Sequence, residues 1–218
     1  MAVATRNAYA NLVLPRLLSS AGITGRDAAL ATELGYGTLR ACGTLDEIVR
    51  LCSSRELDQI EPGVLTLLRL GAYQLLRTRI PVHAAVASTV DLARATGNTR
   101  SAGFVNAVLR KVSGADYEAW CERVARGASP LGTLAIRYSH PGWIVAAFAE
   151  ALQSDGADSN GADSDGADRD NAELERALAA DDERPATHLV AWPGRIDRDQ
   201  LSVESGGEPG PYSPYAVR

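Results

Sequence analysis

Hydrophobic and polar positions from Pro62 to Lys111 fall into three helical blocks. Glu61-Pro62 opens the first, because proline at the first helical position gives up a donor that has no partner there. This helix is predicted to run to about Arg77. Val64, Leu65, Leu67, Leu68, Leu70, Ala72, Leu75 and Leu76 leave a narrow polar stripe of Thr66, Arg69, Tyr73 and Arg77. A helix apolar nearly all round belongs at the centre of a fold. Pro81 opens the second block, in which Val82, Val86, Thr89, Val90 and Ala93 recur at three- and four-residue steps and form one buried face, with Gly97 as the C-terminal stop. In the third, Phe104, Val105, Val108, Leu109 and Val112 gather on one side, while Gly103, Asn106 and Arg110 turn to the other.

Shorter helices flank this centre. Leu12, Val13, Leu17 and Ser20 suggest one from Ala10 to about Ser20, although Pro15 opposes a regular interior and Gly22 breaks the chain. Thr24 can cap a helix to about Arg40 with Ala28, Ala31, Leu34, Gly35 and Leu39 inward. Gly35 and Gly37 mark close approach of another helix, since glycine inside a helix otherwise costs about 1 kcal/mol. Thr44 and Glu47 have capping-box spacing for a helix through about Cys52, with Leu45, Ile48, Val49 and Cys52 inward. Amphipathic segments follow at Ala115 to Ala125, around Tyr117, Trp120, Cys121 and Val124, and from Ser129-Pro130 to Tyr138.

Residues 154–170, SDGADSNGADSDGADRD, have almost nothing to bury and read as a disordered, self-repelling linker. The aspartates Asp155, Asp158, Asp163, Asp165 and Asp168 lack the closing glutamate and regular spacing of a calcium loop. Beyond lies a helix of about Asn171–Ala180, and then Ala186 to Trp192, which alternates as a strand does. The expected organisation is a helical domain over 1–153, an acidic linker over 154–170 and a short, incomplete α+β fragment over 171–218.

Leu70-Gly71-Ala72-Tyr73-Gln74-Leu75-Leu76, Arg79-Ile80-Pro81-Val82-His83-Ala84-Ala85-Val86 and Phe104-Val105-Asn106-Ala107-Val108-Leu109-Arg110 come in an order and spacing that resembles the centre of NusB-like RNA-binding domains. More narrowly, they resemble the version at the N-terminus of RsmB (Sun/Fmu-type) ribosomal RNA cytosine-5 methyltransferases. Tyr36-Gly37-Thr38-Leu39-Arg40 and Ser139-His140-Pro141-Gly142-Trp143-Ile144-Val145 fit the same pattern. The resemblance implies an all-α, NusB-like helical bundle that docks small-subunit ribosomal RNA, with ribosomal or transcription proteins as further partners. Relatives usually begin with a full amphipathic helix ahead of Ala8 to Pro15. About eight residues precede Tyr9 here, so that helix is expected to be largely missing. Gly207 to Arg218 resembles the stretch that leads up to the methyltransferase catalytic domain.

Catalysis in that family needs a cysteine nucleophile, an acid nearby and a Gly-rich strand-to-helix turn for S-adenosylmethionine. None of the three cysteines follows a proline, and Gly206-Gly207-Glu208-Pro209-Gly210 is followed by no helical pattern. The expectation is therefore RNA docking without catalysis, cofactor or metal in this chain, S-adenosylmethionine being implied for the full-length enzymes. Arg77, Arg79, Arg100, Arg110 and Lys111 flank the three central helices and are the expected phosphate contacts. His83 is read as an interior histidine, and Asn106 as a partner for a neighbouring helix end. The alternative is a free-standing NusB-like antitermination module, although such a protein has little reason to continue through Ser139 to Val145.

Bulk properties sharpen this modestly. The chain has 218 residues and a net charge of −5. Residues 1–150 carry 16 basic against 12 acidic side chains, and 151–218 carry 6 against 15. The basic excess sits with the helical part, which is compatible with an anionic partner. Lys111 is the lone lysine among 22 basic residues, a bias that codon composition explains as well as selection for phosphate contacts does. Cys42, Cys52 and Cys121 fit no metal spacing and read as reduced packing residues; His83, His140 and His188 are too scattered for a metal site. No apolar run reaches the roughly 18 to 20 residues of a membrane span, and no signal-like start is present, so a cytoplasmic location is expected.

Overall fold

The computed structural model describes residues 8–156, 164–183 and 188–218, with backbone alone at 153–156 and 164–170. The helices are α1 (Ala10–Ser20), α2 (Gly25–Arg40), α3 (Cys42–Cys52), α4 (Pro62–Arg77), α5 (Val82–Ala95), α6 (Ala102–Val112), α7 (Tyr117–Val124), α8 (Pro130–Arg137), α9 (Gly142–Gly156), α10 (Ser164–Asp182) and α11 (Arg198–Ser205). By its contacts the chain divides into a unit ending at Asp182 and a second unit from Glu183 to Arg218.

Helix α4 is the hub, packing on α2, α3, α5 and α6. Its start has the expected chemistry: Pro62 opens the first turn, and the Glu61 side chain accepts a hydrogen bond from the Gly63 amide at 3.4 Å. Leu68 and Ala72 are fully buried, with Leu45, Ile48 and Val49 of α3 and Val105, Leu109 and Val112 of α6 in the same core. Gly71 lets α6 come close, because a Cβ there would lie 2.6 Å from Leu109 Cδ1. Helix α5 stops as predicted: Gly97 adopts φ +83°, while the Asn98 amide donates to the Ala93 carbonyl at 2.8 Å.

Several residues face otherwise than their spacing predicts. Tyr73 is buried rather than on a polar stripe, because α2 covers that side of α4, and Gln74 is buried against α5. The Tyr73 hydroxyl donates to Glu33 Oε1 at 2.6 Å, and Gln74 Nε2 donates to Thr89 Oγ1 at 3.3 Å. Val82 and Leu39 are exposed, each at the rim of a groove rather than under a neighbouring helix. Gly37 meets the close approach expected of it, the end of the Tyr73 ring lying against it. Helix α1 continues through Pro15 at its middle; the Asn11 carbonyl left without its usual donor belongs to an exposed residue, where water can serve it.

Thr44 caps nothing. Helix α3 follows α2 directly through Ala41, so Thr44 lies inside it and faces α8. Its hydroxyl donates to the Ile136 carbonyl at 2.5 Å and lies 2.9 Å from Ser139 Oγ. Ser139 holds φ +59° at the end of α8, where glycine is usual, and its hydroxyl links Thr44 of α3 to the Tyr117 hydroxyl of α7, 3.4 Å away. Thr44→Val should therefore cost about 1 kcal/mol by removing its bond to the Ile136 carbonyl, which keeps the Ser139 amide at 3.3 Å, read as a lowered thermal midpoint. An unchanged midpoint would mean that this polar link carries no weight.

Helices α8, α9 and α10 form a satellite core of Leu134, Val145, Leu174 and Leu178. Residues 157–163 of the expected linker lie outside the described residues, and helical backbone reaches Gly156 on one side and starts at Ser164 on the other. Helix α10, expected with the C-terminal fragment, packs instead in the first unit, because Leu174 and Leu178 find their apolar partners there.

The second unit pairs β1 (Leu189–Val190) with β2 (Ala216–Val217), antiparallel, with Leu189 opposite Val217 and Val190 opposite Ala216. The strand predicted for Ala186 to Trp192 is thus two residues long; residues 184–187 lie outside the described part. Asp197 caps α11 by accepting from the Gln200 amide at 2.7 Å. Among the described residues of this unit, Ala191 and Val217 are the buried ones.

Candidate nucleic-acid interface

Two short connections bring the ends of α4, α5 and α6 together. Thr78 pins the first, donating to the Gln74 carbonyl at 2.7 Å and accepting from the Ile80 amide at 3.1 Å, so the chain reverses at once into α5. The second connection, through Gly97, reverses it again into α6. The end of α4, the start of α5 and the end of α6 therefore share one end of the bundle, which carries Arg79, His83, Arg110 and Lys111, all exposed. A groove of about 560 Å³ between α5 and α6 begins there. Val82, Val86 and Ala87 give it an apolar side, and His83, Asn106 and Arg110 line it with polar groups.

The five cations expected from the sequence separate in space. Arg79, Arg110 and Lys111 lie at this shared end. Arg100 precedes α6 and so sits at the other end of that helix, roughly 15 Å from Arg110 at 1.5 Å per residue. Arg77 reaches the shared end but is engaged internally: Nη2 donates to Asp182 Oδ2 at 2.6 Å, and the guanidinium stacks over the Tyr117 ring at 4.6 Å. Burial alone would lower the Arg77 pKa; the Asp182 carboxylate, with Tyr117 and Tyr73 adding to it, leaves the pKa raised.

Other arginines are matched by carboxylates. Arg69 grips Asp46 with two bonds of 2.6 Å, Arg94 pairs with Asp91 at 2.7 Å, and Arg50 pairs with Glu47. Among the described residues, Arg79, Arg100 and Lys111 make no ion pair, which leaves their charge facing solvent. Arg110 is held by its neighbour, its Nε donating to Asn106 Oδ1 at 3.3 Å. Asn106 thus bonds within its own helix rather than to a neighbouring helix end.

His83 is exposed on the groove rather than interior, because the first turn of α5 extends beyond its cover. Arg55 joins Arg100 at the start of α6, its guanidinium 5.0 Å from the centre of the Phe104 ring. No local pattern in the sequence signals that pairing, since Arg55 lies in the connection between α3 and α4 and meets Phe104 only through the fold.

Chemistry beyond charge is limited. Burial pushes the thiols of Cys42, Cys52 and Cys121 up, away from the reactive thiolate form. Among the described residues no group of histidine, cysteine and carboxylate side chains could hold a metal ion. A Cβ on Gly207 would lie 2.7 Å from Val217 Cγ1, and one on Gly210 would lie 2.7 Å from Ala216 Cβ, so these glycines serve close packing against β2. Among the described residues no helix is long and apolar enough to cross a membrane.

Fold and surface together define a helical bundle with a cationic end. Residues 1–114 match the NusB family, and the chain belongs to it. Over 218 residues it is 49% identical to a Mycobacterium tuberculosis protein (strain ATCC 25618 / H37Rv) named as a proposed methyltransferase, covering 99% of this chain and 44% of that protein. It is 34% identical over 139 residues to the ribosomal RNA small subunit methyltransferase B of Shigella flexneri serotype 5b (strain 8401), covering 64% of this chain and 30% of that enzyme. The same identity and coverage hold for the enzyme of that name from Escherichia coli O139:H28 (strain E24377A / ETEC). The chain thus spans less than half the length of these relatives.

Proposed function

We propose that this chain is the RNA-docking region of an RsmB-like small-subunit ribosomal RNA methyltransferase. The observation that carries this is the convergence of Arg79, Arg110 and Lys111 at one end of a NusB-family bundle, none of the three paired with a carboxylate among the described residues. Cations held there neutralise phosphates and release counterions, and the rigid helices fix the register of the bound strand. Methyl transfer from S-adenosylmethionine to cytosine belongs to the rest of such an enzyme, and this chain contributes substrate placement.

Titrating the chain with a labelled small-subunit ribosomal RNA fragment at about 50 and 200 mM salt tests this. The Arg79→Ala/Lys111→Ala variant should bind about tenfold more weakly and lower the log–log salt slope by about two. Arg100→Ala, at the far end of α6, should change both less. Equal affinity of the parent and the double variant, or no affinity for the fragment at all, overturns the reading.

A further inference from the structure

Arg77 differs from the other candidate cations in being held indoors by one acidic residue. We propose that Arg77 is a latent phosphate-binding residue and that Asp182, the last residue of α10, is an internal competitor that keeps RNA phosphate off it for as long as the pair is closed. The inference rests on the docking function proposed above and adds to it a built-in competitor.

Three observations support it. Arg77 ends α4 two residues before Arg79, so a backbone lying on the cationic end passes close to it. Its guanidinium is already aimed, stacked on Tyr117, whose own hydroxyl is fixed by donating to the Arg137 carbonyl at 2.9 Å. And Asp182 holds it by a single hydrogen bond from Nη2, whereas the Arg69–Asp46 pair elsewhere in the bundle is forked, with both carboxylate oxygens engaged. A guanidinium offers five donors, so the single bond leaves most of the fork open to a tetrahedral phosphate.

Release is local. Helix α10 is secured upstream by Leu174 and Leu178 in the satellite core and by Asp181, which lies 2.8 Å from His140 Nε2. Asp182 sits after these anchors, at the helix terminus, where fraying disturbs least. Arg77 side-chain exposure is 28% and that of Asp182 is 13%, so the pair sits at the edge of the bundle rather than in its core.

The test uses the full chain and the same RNA fragment. Asp182→Asn should raise affinity about three- to tenfold and steepen the salt slope by about one, the signature of one added phosphate contact. Asp181→Asn removes the same charge one residue away and should leave the slope unchanged. Arg77→Gln should abolish the gain in the Asp182→Asn background and have little effect in the parent; thermal melts verify that each variant folds, with Asp182→Ala as the second release variant. If Asp182→Asn matches the parent, or Asp181→Asn steepens the slope equally, the competitor is refuted while the Arg79→Ala/Lys111→Ala result still stands. If that double variant has no effect either, the docking function itself falls.

Discussion

Gly37→Ala should lower stability by about 3 kcal/mol, a drop in thermal midpoint of roughly 6 to 12 °C for a chain of this size. The added methyl would sit 2.0 Å from the Tyr73 hydroxyl oxygen and 2.1 Å from Cζ, far inside contact distance. Tyr73 cannot swing aside cheaply, since it is 5% exposed and its hydroxyl is held on Glu33 at 2.6 Å. Relief would require α2 to move off α4, loosening the hub. Gly103→Ala is the matched control. Gly103 lies on the exposed face of α6 with nothing near its missing Cβ, so alanine there should stabilise by up to about 1 kcal/mol through helix propensity. Circular dichroism melts of the two variants settle the matter. A Gly37→Ala chain as stable as Gly103→Ala would mean that α2 does not rest on Tyr73.

Raising the pH from 10 to 12 should remove about 2 to 3 kcal/mol of stability through Tyr73 alone. Burial of the phenol, reinforced by its hydrogen bond to Glu33 and that carboxylate's charge, pushes its pKa up to about 12, with Arg40 and Arg77 opposing. The unfolded chain releases this proton near pH 10, while the folded chain retains it until about 12. Between those values the folded state binds more protons, so stability falls as pH rises; below pH 10 the contribution is complete. Urea melts at pH 9, 10.5 and 11.5 measure it. Tyr73→Phe should flatten the decline in part, the remainder coming from Tyr117, Tyr138 and the three cysteine thiols, whose pKa values burial raises as well. An identical alkaline decline in Tyr73→Phe would show that Tyr73 ionises without penalty.

Much of the architecture was legible along the chain because its signals are local. Pro62 starts α4 and Gly97 ends α5 where the reading of the sequence puts them, and Ser129 and Asp116 cap α8 and α7 through their own side chains. The buried face of α6 was equally clear, since Val105, Val108, Leu109 and Val112 repeat at helical spacing. Errors fall where a second element intervenes. Tyr73 and Val82 exchange their expected environments because α2 covers one and nothing covers the other. Thr44 has the spacing of a cap, yet serves as a cross-link to α8, some 90 residues further along the chain.

The candidate interface shows the same division. Spacing identified Arg77, Arg79, Arg100, Arg110 and Lys111 as flanking the central helices, but membership of one surface depends on which helix ends meet. Two tight reversals join Arg79 to Arg110 and Lys111, the length of α6 removes Arg100, and the return of α10 engages Arg77 with Asp182.

By itself the sequence determined the helices, the hub and the family, because capping, propensity and apolar period act over a few residues and survive any arrangement of neighbours. Tertiary structure alone decided which cations stand together, which one is masked and which polar groups are buried. Those outcomes depend on contacts between residues far apart in the chain, and no local period encodes them.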